Sequence, residues 1–270
     1  MIETDETLTG GNTNTVRRRG NTVSRASGPW SPTLHQLLRH VRSRGLLWVP
    51  EPLGFDATGC EILSFMEGDV PHDTPAWLWA PPLLAQIAHA LRQFHDATVS
   101  FESNEARWQL TPRMPHEVIC HNDFAPYNTV FINGQFAALI DFDTCAPGPR
   151  IWDIAYTAYR FIPLLPAAGE IDDDSGCECA PMPWNEQMTR LLDFLRAYAG
   201  ETPELHYAVD AVLAQTARRL EALAAFSNAA AEHTQRPELA RHARMYRAHA
   251  AWLRQRATEH AGQYLQHSPP

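Results

Sequence analysis

Three polar residues in one short run could do chemistry together. The run is Val118-Ile119-Cys120-His121-Asn122-Asp123-Phe124-Ala125-Pro126-Tyr127-Asn128, which contains the pattern H-x-D-x-x-x-x-N. An aspartate within reach of an attacking hydroxyl can orient it and accept its proton. An Asn carbonyl and an Asp carboxylate are hard oxygen ligands of the kind Mg²⁺ takes. A second carboxylate, Asp141, follows in Ile140-Asp141-Phe142-Asp143. A base, a metal-binding amide and a metal-binding acid in that order suit phosphoryl transfer, which needs positioning and charge neutralisation more than covalent help from the protein.

The flanking residues predict the elements that position this set. Glu117 to Cys120 is a short apolar run that ends at His121, and Asn128 to Ile132 is a second run rich in Val, Ile and Phe. Asn133-Gly134 is a strong two-residue hairpin signal. Gln135 to Ile140 is then the returning strand, with Asp141 at its end. Asp123 and Asn128 therefore belong to a loop between strands, and the hairpin carries Asp141 back towards them. Asp and Asn are also ordinary turn formers. The hairpin and the strand-terminal acid are what raise the motif above a chance match.

With these residues in view, the chain resembles the aminoglycoside phosphotransferase-like family. The resemblance implies an α+β, protein-kinase-like, two-lobed fold. Residues 1–66 would form a small antiparallel-sheet N-lobe with a phosphate loop and hinge. Residues 67–270 would form a mostly helical C-lobe with the catalytic loop, the metal site and a substrate pocket. Leu8-Thr9-Gly10-Gly11-Asn12-Thr13-Asn14 looks like the loop that covers the phosphates, and Gly28-Pro29-Trp30-Ser31-Pro32 like the approach to the N-lobe helix. Glu61-Ile62-Leu63-Ser64-Phe65-Met66-Glu67-Gly68 looks like the strand and hinge that frame adenine, with backbone contacts near Ser64 to Met66. The resemblance implies ATP and Mg²⁺ as cofactors. It makes Asp123 the residue that orients the acceptor hydroxyl and gives Asn128 and Asp141 to the metal. His121 and Asp153, the latter in Trp152-Asp153-Ile154-Ala155, would position the loop. Some proteins of this branch look like peptide-toxin immunity factors, so a non-catalytic immunity protein on the same fold is the rival reading.

The N-terminal third departs from that pattern. The sequence has no lysine, so all 22 of its Lys/Arg residues are arginines. That excludes a Walker-type P-loop and a lysine Schiff base, and it removes the usual N-lobe lysine. Arg25, in Asn21-Thr22-Val23-Ser24-Arg25, is the candidate replacement for phosphate contact. If the basic position falls instead on Ser24, Arg25 points to the other side of the strand, unless a bulge re-aims it. Ser31 reads as an N-cap with Pro32 at the first helical position, for a helix running through Leu34, Leu37, Leu38 and Val41 to Gly45. His35 then falls where a glutamate is usual, and packing or surface exposure is the expectation for it. Asp143 offers a further carboxylate, either to the metal or substrate or as an Asx-turn cap.

The remainder bounds the function classes. With 270 residues and 44% hydrophobic content, the chain can bury a sizeable core. A net charge of −9 disfavours nucleic acid and anionic membranes as partners and is compatible with a cationic small substrate. An acidic N-terminus without a signal peptide, no run of membrane-spanning length and five cysteines in no framework spacing suggest a cytoplasmic location. A helix is predicted from Pro81-Pro82 to His95-Asp96, with Leu84, Ile87, Leu91 and Phe94 on one face. Further helices are predicted near 186–199, 204–229 and 238–264, and by resemblance they carry the acceptor pocket. The acidic stretch 169–176 reads as a solvated loop within 167–180. Cys177-x-Cys179 is a weak metal signal without a second pair.

Overall fold

The computed structural model describes residues 6–8, 16–71, 73–103, 105–171 and 180–267, with side chains described as far as 260. Gly10 and Gly11, the acidic run from Asp172 and the pair Cys177 and Cys179 lie outside the described residues. The chain divides into two compact units, Met1–Arg150 and Ile151–Pro270.

The first unit opens with a five-stranded antiparallel sheet. Its strands are β1 (Glu6–Leu8), β2 (Val16–Arg19), β3 (Thr22–Arg25), β4 (Pro52–Phe55) and β5 (Glu61–Ser64), in the order β1-β2-β3-β5-β4. β3 and β5 pair so that Arg25 lies opposite Glu61 and Thr22 opposite Ser64. Helix α1 (Ser31–Ser43) follows β3 and buries Leu34, Leu37, Leu38 and Val41, the predicted apolar face. Its start differs by one residue from the sequence expectation. Trp30 already has helical dihedrals and is the N-cap, and Ser31 is the first helical residue. The Ser31 hydroxyl accepts a hydrogen bond from the Gly28 N–H at 3.0 Å, so it braces the turn before the helix instead of capping the helix. The last turn ends at Ser43, and Gly45 takes the positive φ of +94° that releases the chain.

Helix α2 (Pro81–Thr98) runs two residues beyond its predicted end. Leu84, Ile87, Leu91 and Phe94 are buried on one face, each worth roughly 1.5–3 kcal/mol relative to exposure. Thr98 at its end accepts the Ile119 N–H at 3.1 Å and so ties the helix to β6 (Val118–Cys120). Strands β7 (Thr129–Ile132) and β8 (Gln135–Leu139) form the expected hairpin. Asn133 and Gly134 both have positive φ, at 53° and 72°, as a type I′ turn requires. β9 (Ala146–Gly148) returns to pair with β6. Ahead of α2, Asp69 bridges to Phe131 of β7. A side chain at Gly68 would meet the Phe131 carbonyl at 2.6 Å, so only glycine fits that crossing.

The second unit is helical. It holds α3 (Arg150–Phe161, from Ile151 onward), α4 (Trp184–Ala199), α5 (Val209–Thr234) and α6 (Pro237–His267). The sequence reading assigned no element to α3, whose aromatic and β-branched residues carry little intrinsic helix preference. α5 starts five residues later than expected because Pro203–Leu205 form a separate 3-10 turn. It ends at Gln235, which adopts a left-handed conformation. α5 and α6 pack together, and Arg254 pairs with Glu221 between them. His249 of α6 is buried against the Tyr159 hydroxyl of α3 at 2.9 Å. No helix of the described residues is long and apolar enough to cross a membrane.

Candidate active site

The loop after β6 is held by its own polar side chains. His121 is fully buried, with its ring among Phe94, Phe124 and Phe142. Its Nδ1 accepts the Asp123 N–H at 3.3 Å, and its Nε2 donates to the Ile140 carbonyl at 3.2 Å. These partners fix the neutral ring with its proton on Nε2. Asn122 has a φ of +65°. Asn tolerates this left-handed geometry better than most residues, and its side-chain amide donates to the Thr144 carbonyl at 2.9 Å. The Thr144 hydroxyl donates back to the His121 carbonyl at 2.8 Å. The loop and the end of the hairpin are thus strapped together at several points.

Asp123 and Asn128 meet directly. The Asn128 amide donates to the Asp123 carboxylate (Oδ2) at 2.8 Å and to its backbone carbonyl at 3.0 Å. That leaves the Asn128 side-chain oxygen as the acceptor end of the amide. The Asn128 backbone carbonyl accepts the Ile140 N–H at 2.9 Å, which brings the residue before Asp141 alongside. Tyr127 donates its hydroxyl to the other Asp123 oxygen at 2.6 Å. Asp141 lies two residues past the returning strand, which ends at Leu139 rather than at Ile140 as expected, and has φ 60° and ψ 71°, a left-handed conformation that costs energy for any side-chain-bearing residue.

Arg25 reaches the same place from β3. Its guanidinium donates to Glu61 at 2.7 Å, to Asp141 at 2.9 Å and to Asp143 at 2.6 Å. The Arg25 side chain is 11% exposed and that of Glu61 is 2% exposed. Glu61 in turn accepts from His35 Nε2 at 3.2 Å, and the His35 ring stacks on Phe55 at 4.5 Å. The acidic partner that was missing from α1 is therefore supplied by β5. The reason is the register, which sets Glu61 opposite Arg25. His35 packs, as expected, but against that acid. Asp143 sits in a short 3-10 turn, Phe142–Thr144, and turns its carboxylate to Arg25.

The charges do not balance. With all three acids ionised, the cluster holds two negative charges more than Arg25 neutralises. Burial lowers the pKa of the guanidinium, but the charges of Asp143, Glu61 and Asp141 together hold it well above its ordinary value. The excess is expressed at Asp143. Burial pushes its carboxyl up to about 6 against the pull of Arg25, and the charges of Asp141 and Glu61 add to the rise. A divalent cation fits such a site. The donors are an amide and carboxylates, all hard oxygens, Asp141 is 49% exposed, and each carboxylate has more lone pairs than Arg25 engages.

The structure thus brings together Arg25, His121, Asp123, Asn128, Asp141 and Asp143 within the first unit. Asp153 lies fully buried in the first turn of α3. In the expected hinge, the Ser64 N–H donates to the Glu51 carbonyl at 2.9 Å and the Phe65 N–H to that of Asn21 at 2.8 Å. The sequence reading gave no role to Glu61, Asn122 or Tyr127. A charged residue opening an otherwise apolar strand, Glu61-Ile62-Leu63, was the signal available for the first.

Comparison with known proteins agrees with this geometry. Residues 72–176 match the model of the phosphotransferase enzyme family. That stretch includes the loop and both acids of the hairpin end but neither Arg25 nor Glu61. The trifolitoxin immunity protein of Rhizobium leguminosarum bv. trifolii is 40% identical over 147 residues. This match covers 52% of the chain and 55% of that protein, about half the length of each. Among solved structures, choline kinase from Cryptosporidium parvum superposes with a TM-score of 0.65 and 13% identity, over 96% of this chain and 90% of that one. An aminoglycoside phosphotransferase from Alicyclobacillus acidocaldarius gives a TM-score of 0.57 and 17% identity, over 99% and 93%. The fold is the α+β protein-kinase-like fold, and the resemblance to the aminoglycoside phosphotransferase-like family is borne out.

Proposed function

We propose that this chain is an ATP-dependent O-phosphotransferase that acts on a hydroxyl of a small molecule. The observation that carries the reading is the joined loop and hairpin. Asn128 orients the Asp123 carboxylate, and Asn128 and His121 both clamp Ile140, the residue before Asp141. The acceptor oxygen would bond to the γ-phosphorus as the bond from that phosphorus to the bridging oxygen breaks and ADP leaves, with the hydroxyl proton passing to Asp123. Asn128, Asp141 and Asp143 are the residues that would hold Mg²⁺, which would neutralise charge on the phosphates. Arg25 supplies a fixed positive charge beside them, held by Glu61. Gly10 and Gly11 cover the phosphates in this reading, and Ser64 to Met66 frame the base. His121 positions the loop, and Asp153 is its assigned second brace. The sheet-bearing lobe ends at 66, and residues 67–270 carry the catalytic and acceptor-binding parts. The net charge of −9 favours a cationic acceptor such as an amino sugar or amino alcohol, which would make drug modification in the cytoplasm one role.

A second reading has its own support. The similarity to a trifolitoxin immunity protein favours protection against a peptide toxin, by binding or by weak catalysis. A thermal-shift titration separates the two. The enzyme reading expects ATP with Mg²⁺ to stabilise the protein by about 2.7 kcal/mol at one hundred times its Kd. ATP consumption should then respond to one class among amino sugars, amino alcohols and peptides. A chain whose melting ignores Mg²⁺-ATP at millimolar concentration is not a kinase, and protection by binding becomes the function.

A further inference from the structure

Asp123 offers two carboxylate oxygens, and the fold treats them differently. Oδ2 accepts the amide of Asn128, a buried residue, so it is tied to the frame of the loop. Oδ1 accepts the Tyr127 hydroxyl at 2.6 Å, and Tyr127 is 38% exposed. The bond at Oδ1 is therefore the more exposed of the two. A general base works on a hydroxyl at about 2.6–3.2 Å. The chain already places a hydroxyl of its own within that range, on that oxygen.

The backbone under Tyr127 is fixed while its side chain is at the surface. Pro126–Asn128 form a 3-10 turn in which the Asn128 N–H and the Thr129 hydroxyl both donate to the Ala125 carbonyl, at 3.0 and 2.9 Å. Pro126 has a restricted φ, and Pro126 and Asn128 are buried on either side. The phenol is thus carried on a backbone set by its neighbours, with the residue itself part-exposed. The length of the bond suits a neutral hydroxyl donating to a carboxylate, the same kind of bond an incoming hydroxyl would make.

We propose that Tyr127 is a positioning residue whose phenol holds the place of the acceptor hydroxyl on Asp123 and keeps water from it until the acceptor displaces the phenol. This rests on the reading of Asp123 as the base of a phosphotransferase. Without the phenol, a water molecule takes the place on Oδ1. The water oxygen bonds to the γ-phosphorus, the bond from that phosphorus to the bridging oxygen breaks, and the water's proton passes to Asp123. The products are ADP and inorganic phosphate.

The test uses the full chain, Mg²⁺-ATP and no acceptor. In Tyr127→Phe, phosphate release should rise at least fivefold over the unaltered protein, and the thermal shift with Mg²⁺-ATP should stay the same. Adding Asp123→Asn to Tyr127→Phe should abolish the rise, which a merely loosened loop would not require. Phosphate release in Tyr127→Phe equal to or below that of the unaltered protein, with the Mg²⁺-ATP shift retained, overturns the proposal and leaves the phosphotransferase reading standing. Loss of the Mg²⁺-ATP shift in the unaltered protein as well overturns that reading, and this proposal with it.

Discussion

The two sides of the candidate site are built in opposite ways. On the loop and hairpin side, partners are near in sequence. Asp123 meets Tyr127 four residues on and Asn128 five residues on, and His121 reaches Ile140 nineteen residues on. On the sheet side, Arg25 meets Glu61, Asp141 and Asp143 across 36, 116 and 118 residues. The first side is a local motif that folds its own geometry. The second is a charge cluster that exists only once β3, β5 and the end of the hairpin are in place. The family match spans the first side and the two aspartates of the second, but neither Arg25 nor Glu61. The difference teaches that one site can join a sequence-local polar loop to a charge cluster assembled from residues far apart in the chain.

Substitutions at three positions probe that contrast, from the largest effect to the smallest. Asp123→Ala removes the proposed base and should lower turnover by about 10²–10⁴-fold with nucleotide affinity little changed, because the loop keeps its frame. Steady-state kinetics and calorimetry on the same preparation check this, and wild-type turnover would strip Asp123 of its role. Arg25→Ala leaves Glu61 and Asp143 without their guanidinium. Removing one partner of a buried ion pair costs about 3–5 kcal/mol, and at roughly 2–4 °C per kcal/mol for a chain of this size the melting midpoint should fall by roughly 10 °C. Arg25→Lys should fall between the two, since an ammonium cannot replace a fork that serves three acids at once. An unchanged midpoint in Arg25→Ala would mean the cluster holds nothing together.

The third position concerns pH. The Asp143 carboxyl is raised to about 6 in the folded protein, first by burial. A raised carboxyl pKa means the folded state binds the proton more tightly than the unfolded chain. Asp143 therefore favours folding below its ordinary pKa, and that contribution is lost as pH rises through about 6. Asp143→Asn should lack this slope. Its melting midpoint relative to wild type should climb between pH 4 and pH 7, then level off. Parallel curves across that range would show that Asp143 ionises as an ordinary carboxylate.

The loop and hairpin were legible because their signals are local. H-x-D-x-x-x-x-N and Asn133-Gly134 each state a backbone geometry within a few residues, and each lies where expected, while Asp141 falls two residues past the strand end. Helix α2 was legible through its apolar periodicity, which the core confirms at Leu84, Ile87, Leu91 and Phe94. Helix α3 was not, because Ile151-Trp152-Asp153-Ile154 carries no local start signal and its burial depends on its neighbours. Ser31 misled for a related reason. A serine before Pro32 is a good cap in isolation, but Trp30 is the N-cap and Ser31 is already the first helical residue.

By itself, then, the sequence determined which polar residues the loop carries and where the hairpin turns. It also determined that no lysine could grip the phosphates. Only the tertiary structure decided what stands in its place. Sequence spacing says nothing about which residue lies opposite Arg25. Strand register sets Glu61 there, and the hairpin delivers Asp141 and Asp143 to the same guanidinium. Long-range charge pairing depends on where backbones cross, and no run of neighbouring residues encodes that.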